Sequence, residues 1–189
     1  MAIHPGRHSL GQEHGRITFR TSRDGLAAQA GHDLTISAKR WTGDLVVTDA
    51  GAPAEFRASI DMGALEVVTG TGGLKPLTDR DKREIAASAR KVLKADRYPE
   101  ATFAATGFVV GGDGSGTISG TLTLAGQQRP QHLQVHPVAP DHYRLTTTVR
   151  QTDFGIKPYS AFLGSLRVAD AVDIEVDIDL SAIAEESGP

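Results

Sequence analysis

Residues 172–180 read VDIEVDIDL and alternate one apolar with one acidic side chain over the whole stretch. Because successive side chains of a β-strand point to opposite faces of its sheet, this period of two predicts a strand with one apolar and one solvated face. Shorter stretches with the same alternation start near residues 16, 34, 45, 55, 122, 133 and 143. About eight such strands in one domain predict an all-β protein, built as a sandwich or a closed barrel.

One segment has the period of an α-helix instead. Thr78 is a suitable N-cap, and Asp81 stands three residues later, where a capping box requires an acidic or amide side chain. The apolar residues that follow at helical spacing are Ile85, Ala89, Val92 and Leu93. We therefore predict one amphipathic helix, which ends near Lys94 and lies over the β domain.

The composition excludes several classes of function. The 189 residues carry a net charge of −3, so bulk charge attracts neither nucleic acid nor an anionic membrane. Cysteine is absent, which excludes disulfides, iron–sulfur clusters, thiolate zinc sites and cysteine nucleophiles. No stretch has the apolar character of a signal peptide or a membrane span, so we expect a cytoplasmic protein without stable membrane insertion.

The chain length fits one domain. Residues 1–15 are polar and contain three glycines and a proline, so they predict an N-terminal arm. The alternating strands and the helix place a single domain over residues 16–181. Residues 182–189 are then a short C-terminal tail.

Motifs for catalysis and metal binding are missing from the sequence. The glycine-rich segment 70–73 precedes Lys75 and a helix, but it lacks the spacing of a phosphate-binding loop. His132 and His136 would stand about 13 Å apart on a regular strand, whereas zinc lies only about 2 Å from each ligand nitrogen. We therefore predict no catalytic residue, no metal site and no cofactor.

An apolar loop follows the alternating stretch that ends at Arg150. Residues 150–164 read RQTDFGIKPYSAFLG, and their large apolar residues are Phe154, Ile156, Tyr159, Phe162 and Leu163. Surface loops are usually polar, so this one either closes the end of the β structure or lines the entrance to a ligand site. In the second case, Lys157 is placed to meet an anionic headgroup.

Two further residues each allow two interpretations, one structural and one in ligand binding. His32, in Gly31-His32-Asp33 at the start of a strand, hydrogen-bonds either a ligand headgroup or a turn. Trp41 is the single tryptophan, and it either fills the core or forms part of an apolar pocket.

Four short motifs carry a resemblance to a known family. They are GHDLTI at 31–36, YPEATF at 98–103, GTLTLAG at 120–126 and TDFGI at 152–156. Taken together and in this order, they resemble the YceI-like family, and the similarity extends over about residues 16–180. The chain differs from many members in lacking a secretory signal and in having Gln151-Thr152 where Arg-Ser is common, so it resembles a cytoplasmic variant.

The resemblance implies an antiparallel, lipocalin-like β-barrel of about eight strands with one amphipathic helix packed outside. In that family the barrel holds a long apolar ligand, typically a polyisoprenoid or an isoprenoid quinone, and dimers occur. The implied lining includes Phe154, Ile156 and the inward-facing residues of the strands. Adding the candidates above, we expect the ligand-binding residues to be His32, Leu34, Ile36, Trp41, Phe103, Asp153, Phe154, Ile156, Lys157, Tyr159, Phe162 and Leu163.

Three functions fit these observations. The first is non-catalytic binding and transport of a long-chain isoprenoid or other lipid, with a homodimer as a further expectation. The second is an isomerase or hydrolase acting on an apolar substrate in the same cavity, for which His32, Asp153 and Tyr159 are the candidate acids and bases. The third is a sensor or scaffold with a fully packed barrel and a protein partner.

Overall fold

A computed structural model describes residues 3–184 of the chain. They form one α-helix and one antiparallel sheet of twelve strands. The elements are β1 (Gly6–Leu10), β2 (Gly15–Asp24), β3 (His32–Ala38), β4 (Trp41–Val47), β5 (Pro53–Asp61), β6 (Leu65–Gly72), α1 (Asp79–Val92), β7 (Glu100–Val110), β8 (Gly116–Leu124), β9 (Gln127–Ala139), β10 (His142–Arg150), β11 (Ser160–Ala161) and β12 (Leu166–Asp179). Short 3₁₀ turns occupy Ala28–Ala30, Gln151–Phe154, Phe162–Gly164 and Ser181–Ile183.

The strand order in the sheet is β1-β4-β5-β7-β8-β9-β10-β12-β2-β3-β6, and β11 pairs with β12. The sheet curls into a half-barrel, because strands from β2 to β12 contribute side chains to one shared interior. β1 and β6 are the two edges of the described sheet, and α1 packs beside β6. The predicted lipocalin-like fold with one helix is confirmed, although the strands outnumber the expected eight and the sheet remains open at its edges.

The last strand shows why the alternating pattern decides the fold. Val176 of β12 pairs with Leu145 on one side and with Ile17 on the other, so three apolar side chains face the interior together. On the outer face, Asp177 accepts hydrogen bonds from the His142 ring at 2.7 Å and from the Arg144 guanidinium at 3.0 Å. Burial raises the pKa of Asp177, but these two partners outweigh it and hold the pKa below its ordinary value.

The polar start of the chain is not an arm. β1 runs antiparallel to β4, with Leu10 opposite Gly43, and the Leu10 side chain is buried. β4 would otherwise leave a row of unpaired backbone groups on that side, and β1 satisfies them. The Ile183 carbonyl accepts a hydrogen bond from the His4 backbone N–H, so residues 182–184 also pack on the domain. The rest of the predicted tail, residues 185–189, lies outside the described part.

The helix begins as the sequence predicts. The Thr78 hydroxyl accepts from the Asp81 backbone N–H at 3.2 Å, and the Asp81 carboxylate accepts from the Thr78 backbone N–H at 2.8 Å, which completes the capping box. Hydrogen bonds from Thr78 hold the pKa of Asp81 below its ordinary value. Within residues 3–184, no helix has both the length and the apolar content that crossing a lipid bilayer requires.

Three clusters of buried apolar side chains pack the interior of the half-barrel, and the smallest consists of Met62, Ala95 and Ala101. A densely packed core occupies the region around Trp41 and Leu45, and it includes Leu133, Leu145 and Ile178 from the opposite strands. A smaller cluster lies around Phe154 and Ile156, close to the end of β10. Between these clusters and α1 the interior is hollow.

Candidate ligand-binding site

The hollow region is a cavity of about 710 Å³ between the inner face of the sheet and α1. Ligand pockets for small molecules have volumes of about 300–1,000 Å³. The strands supply mostly aliphatic side chains, among them Leu34, Ile36, Leu65, Leu122, Leu124, Val149, Val172 and Ile174, and Met62 and Ile156 join them from turns between strands. The cavity can therefore take an apolar ligand of substantial size.

The helix forms one wall of this cavity. Its lining residues include Ile85, Ala89 and Val92, and Leu93 follows directly after its last turn. None of the residues of α1 is fully buried, because most of its apolar face borders the cavity; at the end of the helix Val92 packs against the cluster around Phe154. An apolar ligand in the cavity would bury this half-buried face further.

Three loops surround the open end of the cavity, which we call the mouth. They are residues 25–31, 72–78 and 157–166, and each contributes lining residues. The His32 ring N–H donates to the Lys75 carbonyl oxygen at 2.8 Å, and an Arg23 guanidinium N–H donates to the Gly31 carbonyl oxygen at 3.0 Å. These bonds tie the first two loops to the ends of β2 and β3, so the mouth has a defined shape.

The TDFGI motif, which follows β10, forms part of the cavity wall. Its 3₁₀ turn, Gln151–Phe154, ends at Gly155, which has a φ of 65°. This left-handed conformation suits glycine and reverses the chain, so the side chains on both sides of it point inward. Phe154 and Ile156 are consequently only 2% and 1% exposed. Gln151 is also buried against the cavity, and its amide donates to the Ala169 carbonyl oxygen at 2.9 Å.

A carboxylate on β12 holds this turn in place. Asp170 accepts from the Thr152 backbone N–H at 2.8 Å and from the Thr152 hydroxyl at 2.7 Å. These hydrogen bonds hold the pKa of Asp170 below its ordinary value. The position of Phe154 and Ile156 therefore depends in part on the charge of Asp170.

This contact predicts a dependence of stability on pH. Since the pKa of Asp170 is lower in the folded than in the unfolded chain, its contribution is complete above about pH 4 and is lost as the pH falls through the folded pKa. We expect Asp170→Asn to lower the free energy of unfolding by about 1 kcal/mol at pH 7 and to weaken the loss of stability in acid. Urea titrations at pH 7 and in acid measure both effects.

The control for this prediction is Asp153→Asn, in the same turn. The Asp153 side chain is exposed and makes no hydrogen bond or ion pair among residues 3–184. Its substitution should change stability by less than about 0.5 kcal/mol. Equal losses for the two variants would show that Asp170 does not hold the turn.

Five of the predicted ligand-binding residues line the cavity: His32, Leu34, Ile36, Ile156 and Tyr159. Leu34 and Ile36 point inward from β3, as the period of two requires. Of the two roles considered for His32, the structure shows the hydrogen bond to a turn, at the Lys75 carbonyl; the residue also lines the cavity, and a contact with a ligand headgroup stays a prediction.

The other seven predicted residues do not line the cavity. Trp41 and Phe103 are buried in the packed core beyond it. The Phe103 ring lies directly over Gly120, where a Cβ atom would overlap it, so this contact explains the first glycine of GTLTLAG. Phe154 packs in the cluster below the cavity, where it supports Ile156 without reaching the hollow space.

The remaining four are on the surface. Asp153 and Lys157 are exposed on the turn and on the loop after it. Phe162 and Leu163 project outward, because both have left-handed backbone conformations, with φ of 50° and 56°. An alternating pattern cannot reveal such a reversal, since it presumes extended backbone.

Sequence reasoning missed the contribution of the helix. The spacing of Ile85, Ala89 and Val92 already indicated an apolar face, but a helix packed on a filled barrel would show the same spacing. It also missed Leu74 and Leu77, which precede α1 and line the mouth. Among residues 3–184, no cluster of three or more histidine or acidic side chains is placed to hold a metal ion.

Comparisons with known proteins agree with this architecture. The chain is similar to a UPF0312 protein of Shewanella baltica, with 29% identity over 153 residues, 76% of this chain and 72% of the relative. A UPF0312 protein of Shewanella oneidensis is 28% identical with the same coverage.

Two solved structures share the fold. BcnA of Burkholderia cenocepacia superposes with a TM-score of 0.59 at 14% identity, over 87% of this chain and 94% of that one. The YCEI protein of Campylobacter jejuni superposes with a TM-score of 0.55 at 15% identity, over 76% of this chain and 81% of that one. A model of the YceI-like domain matches residues 9–180, from the end of β1 to the end of β12. The chain therefore belongs to the YceI-like domain family.

Proposed function

We propose that this protein binds and carries a long apolar ligand, such as a polyisoprenoid or an isoprenoid quinone, without catalysing a reaction. The observation that carries the proposal is the cavity of about 710 Å³, walled by aliphatic side chains of the sheet and by the apolar face of α1. Polar groups at the mouth include His32 and Lys75, and the amide of Gln151, which also lines the cavity, already donates to the Ala169 carbonyl oxygen. An apolar chain with a small polar head fits this distribution.

The free energy of burial sets the ligand length. Burial of one methylene contributes about 0.8 kcal/mol, so about ten give roughly 8 kcal/mol before any cost. Micromolar affinity needs about 8 kcal/mol, and ordering a flexible chain opposes binding. A ligand that buries roughly twenty carbons is therefore required, which a long isoprenoid or lipid provides.

The residue types that line the cavity favour a branched aliphatic chain as the ligand. Most of the lining side chains are Leu, Ile, Val, Ala and Met, and Phe19 is the aromatic residue among those of the strands. A flat aromatic ligand would gain from stacking partners that these strands do not offer.

Neither of the other two functions has equal support. Of the candidate acids and bases, His32 and Tyr159 reach the cavity, but Asp153 is exposed outside it. His32 commits one ring nitrogen to the Lys75 carbonyl, which leaves a single nitrogen for proton transfer. A sensor with a fully packed barrel would not contain a cavity of this volume.

The location and the oligomeric state stay predictions. We propose a cytoplasmic carrier, and fractionation of cells that express the untagged protein tests this placement. A homodimer would double the mass measured by light scattering.

A series of isoprenoid alcohols tests the proposed ligand class. We expect geraniol, farnesol and geranylgeraniol to bind with affinities that rise at least about tenfold for each added isoprene unit, because each unit buries several further carbons. Native mass spectrometry of mixtures, in which the alcohols compete for one protein, measures the order directly. The rise should stop once the chain fills the cavity.

The control is a polyethylene glycol of matched length, which has the same flexibility but carries ether oxygens along the chain. It should not compete, since an apolar lining leaves those oxygens without hydrogen-bond partners. Affinities that do not change with chain length, or equal binding of the glycol, would contradict an apolar carrier.

A further inference from the structure

Exposed apolar side chains gather around the mouth of the cavity. They are Leu26, Leu74, Phe162 and Leu163, which are 100%, 81%, 71% and 109% exposed, together with the partly exposed Tyr159. We call these five residues the apolar rim. Single exposed apolar residues are common on protein surfaces, but a group of this size around one opening indicates an interaction surface.

Backbone contacts hold two of the three loops together. The Ala27 N–H donates to the Ser165 carbonyl oxygen at 2.8 Å, so Leu26 and the turn at 162–164 stand side by side. Leu74, from the third loop, and Tyr159 also line the cavity. The apolar rim is therefore continuous with the cavity wall.

The turn at 162–164 directs the side chains of Phe162 and Leu163 outward. Phe162 and Leu163 both have positive φ, a conformation that residues with a Cβ rarely adopt. Two such residues in succession are unfavourable, and strained backbone of this kind clusters at functional positions. The fold gains no core contact from these two side chains in return.

The charges of the mouth loops all have one sign. Residues 25–31, 72–78 and 157–166 contain two charged side chains, Lys75 and Lys157, and both are cationic. Neither lysine forms an ion pair within residues 3–184. At the base of the loops, Arg167 pairs with Asp24 at 3.2 Å, so this pair adds no net charge. Asp81 and Glu84 of α1 also line the cavity, but Thr78 hydrogen-bonds the first carboxylate and Arg80 pairs with the second. The three loops themselves therefore combine projecting apolar side chains with two unpaired lysines.

We propose that the apolar rim docks reversibly on an anionic lipid bilayer. Side chains at loop tips enter the boundary between headgroups and acyl chains, while Lys75 and Lys157 meet anionic headgroups. In this orientation the mouth opens toward the acyl region, and an apolar ligand passes between bilayer and cavity without crossing water. The inference rests on the proposed carrier function for what passes through the mouth, but the docking itself is measurable without a ligand.

Flotation of the whole chain with vesicles tests the docking. We expect the protein to float with vesicles of phosphatidylcholine and phosphatidylglycerol, and much less with phosphatidylcholine alone or at high salt. The variant Phe162→Ser/Leu163→Ser should weaken flotation at least about tenfold, because two large apolar side chains no longer insert. Lys75→Gln/Lys157→Gln should remove the preference for the anionic vesicles.

The matched control lies at the opposite end of the half-barrel. Val109 and Val110 are 69% and 62% exposed beside the β7–β8 hairpin, far from the mouth. Val109→Ser/Val110→Ser removes a similar exposed apolar patch and should float like the unmodified protein. Equal loss for the two double variants, or no flotation of the unmodified protein, would overturn the proposal. Light scattering that shows a dimer lost only in Phe162→Ser/Leu163→Ser, without flotation, would assign the rim to a second copy instead.

Isoprenoid binding in solution separates this proposal from the carrier function. Because Phe162 and Leu163 do not line the cavity, their double variant should bind geranylgeraniol as tightly as the unmodified protein. Isoprenoid binding without flotation would overturn the docking surface and leave the carrier intact. Flotation without isoprenoid binding would support the docking surface and reject the carrier.

Discussion

Phe154→Ala is expected to lower the free energy of unfolding by about 3–5 kcal/mol, while Phe162→Ala should change it by less than about 0.5 kcal/mol. The two phenylalanines lie in one apolar loop, and the sequence predicted the same role for both. Phe154 is 2% exposed and packs against Val149 and Ile156, so truncation leaves a hole beneath the cavity. Phe162 projects into solvent. Urea denaturation of the two variants and the unmodified protein measures the difference.

This comparison is internally controlled, because the same atoms are removed at both positions. A similar loss of stability for the two variants would show that the turn at 162–164 packs on the domain, against the structure described here. A loss below about 1 kcal/mol for Phe154→Ala would show that the loop moves to fill the hole.

Ala89→Trp is expected to reduce isoprenoid affinity at least about a hundredfold. Ala89 lies on the side of α1 that faces the cavity, and an indole there would occupy space that the ligand needs. Since about 1.4 kcal/mol corresponds to a factor of ten, loss of contact with about three or four carbons accounts for a hundredfold change. Titration with geranylgeraniol, followed by native mass spectrometry, gives the affinity.

The control is Ala87→Trp, two residues earlier and exposed on the outer side of the helix. It carries the same loss of helix propensity, about 0.5 kcal/mol, but it adds no volume to the cavity. Its affinity should match that of the unmodified protein. Equal affinities for both tryptophan variants would contradict the placement of the ligand against α1.

Local patterns predicted the elements of this fold well. The strand predicted from the alternation of residues 172–180 is observed as the second half of β12, and the capping box at Thr78 starts the helix where expected. Both features depend on side chains within a few residues of one another, which is the range over which a sequence pattern is informative. β1 escaped prediction because one apolar residue, Leu10, reaches the core, and its pairing with β4 comes from backbone groups that every sequence has.

The site was predicted only in part, for a geometric reason. A period of two tells which face of the sheet a side chain occupies, but not its height along the axis of the barrel. Leu34 and Trp41 both point inward, yet Leu34 lines the cavity and Trp41 fills the packed core. Whether the interior is hollow or filled at a given height along the barrel axis depends on residues from many strands at once. In this chain it also depends on α1.

The most direct test of the central claim is native mass spectrometry of the protein as purified, followed by organic extraction and identification of any lipid. We predict a species whose added mass corresponds to one prenyl or acyl lipid per chain, lost in Ala89→Trp and retained in Ala87→Trp. A chain that is empty as purified and that gains no mass with isoprenoid quinones or prenyl alcohols would contradict the account.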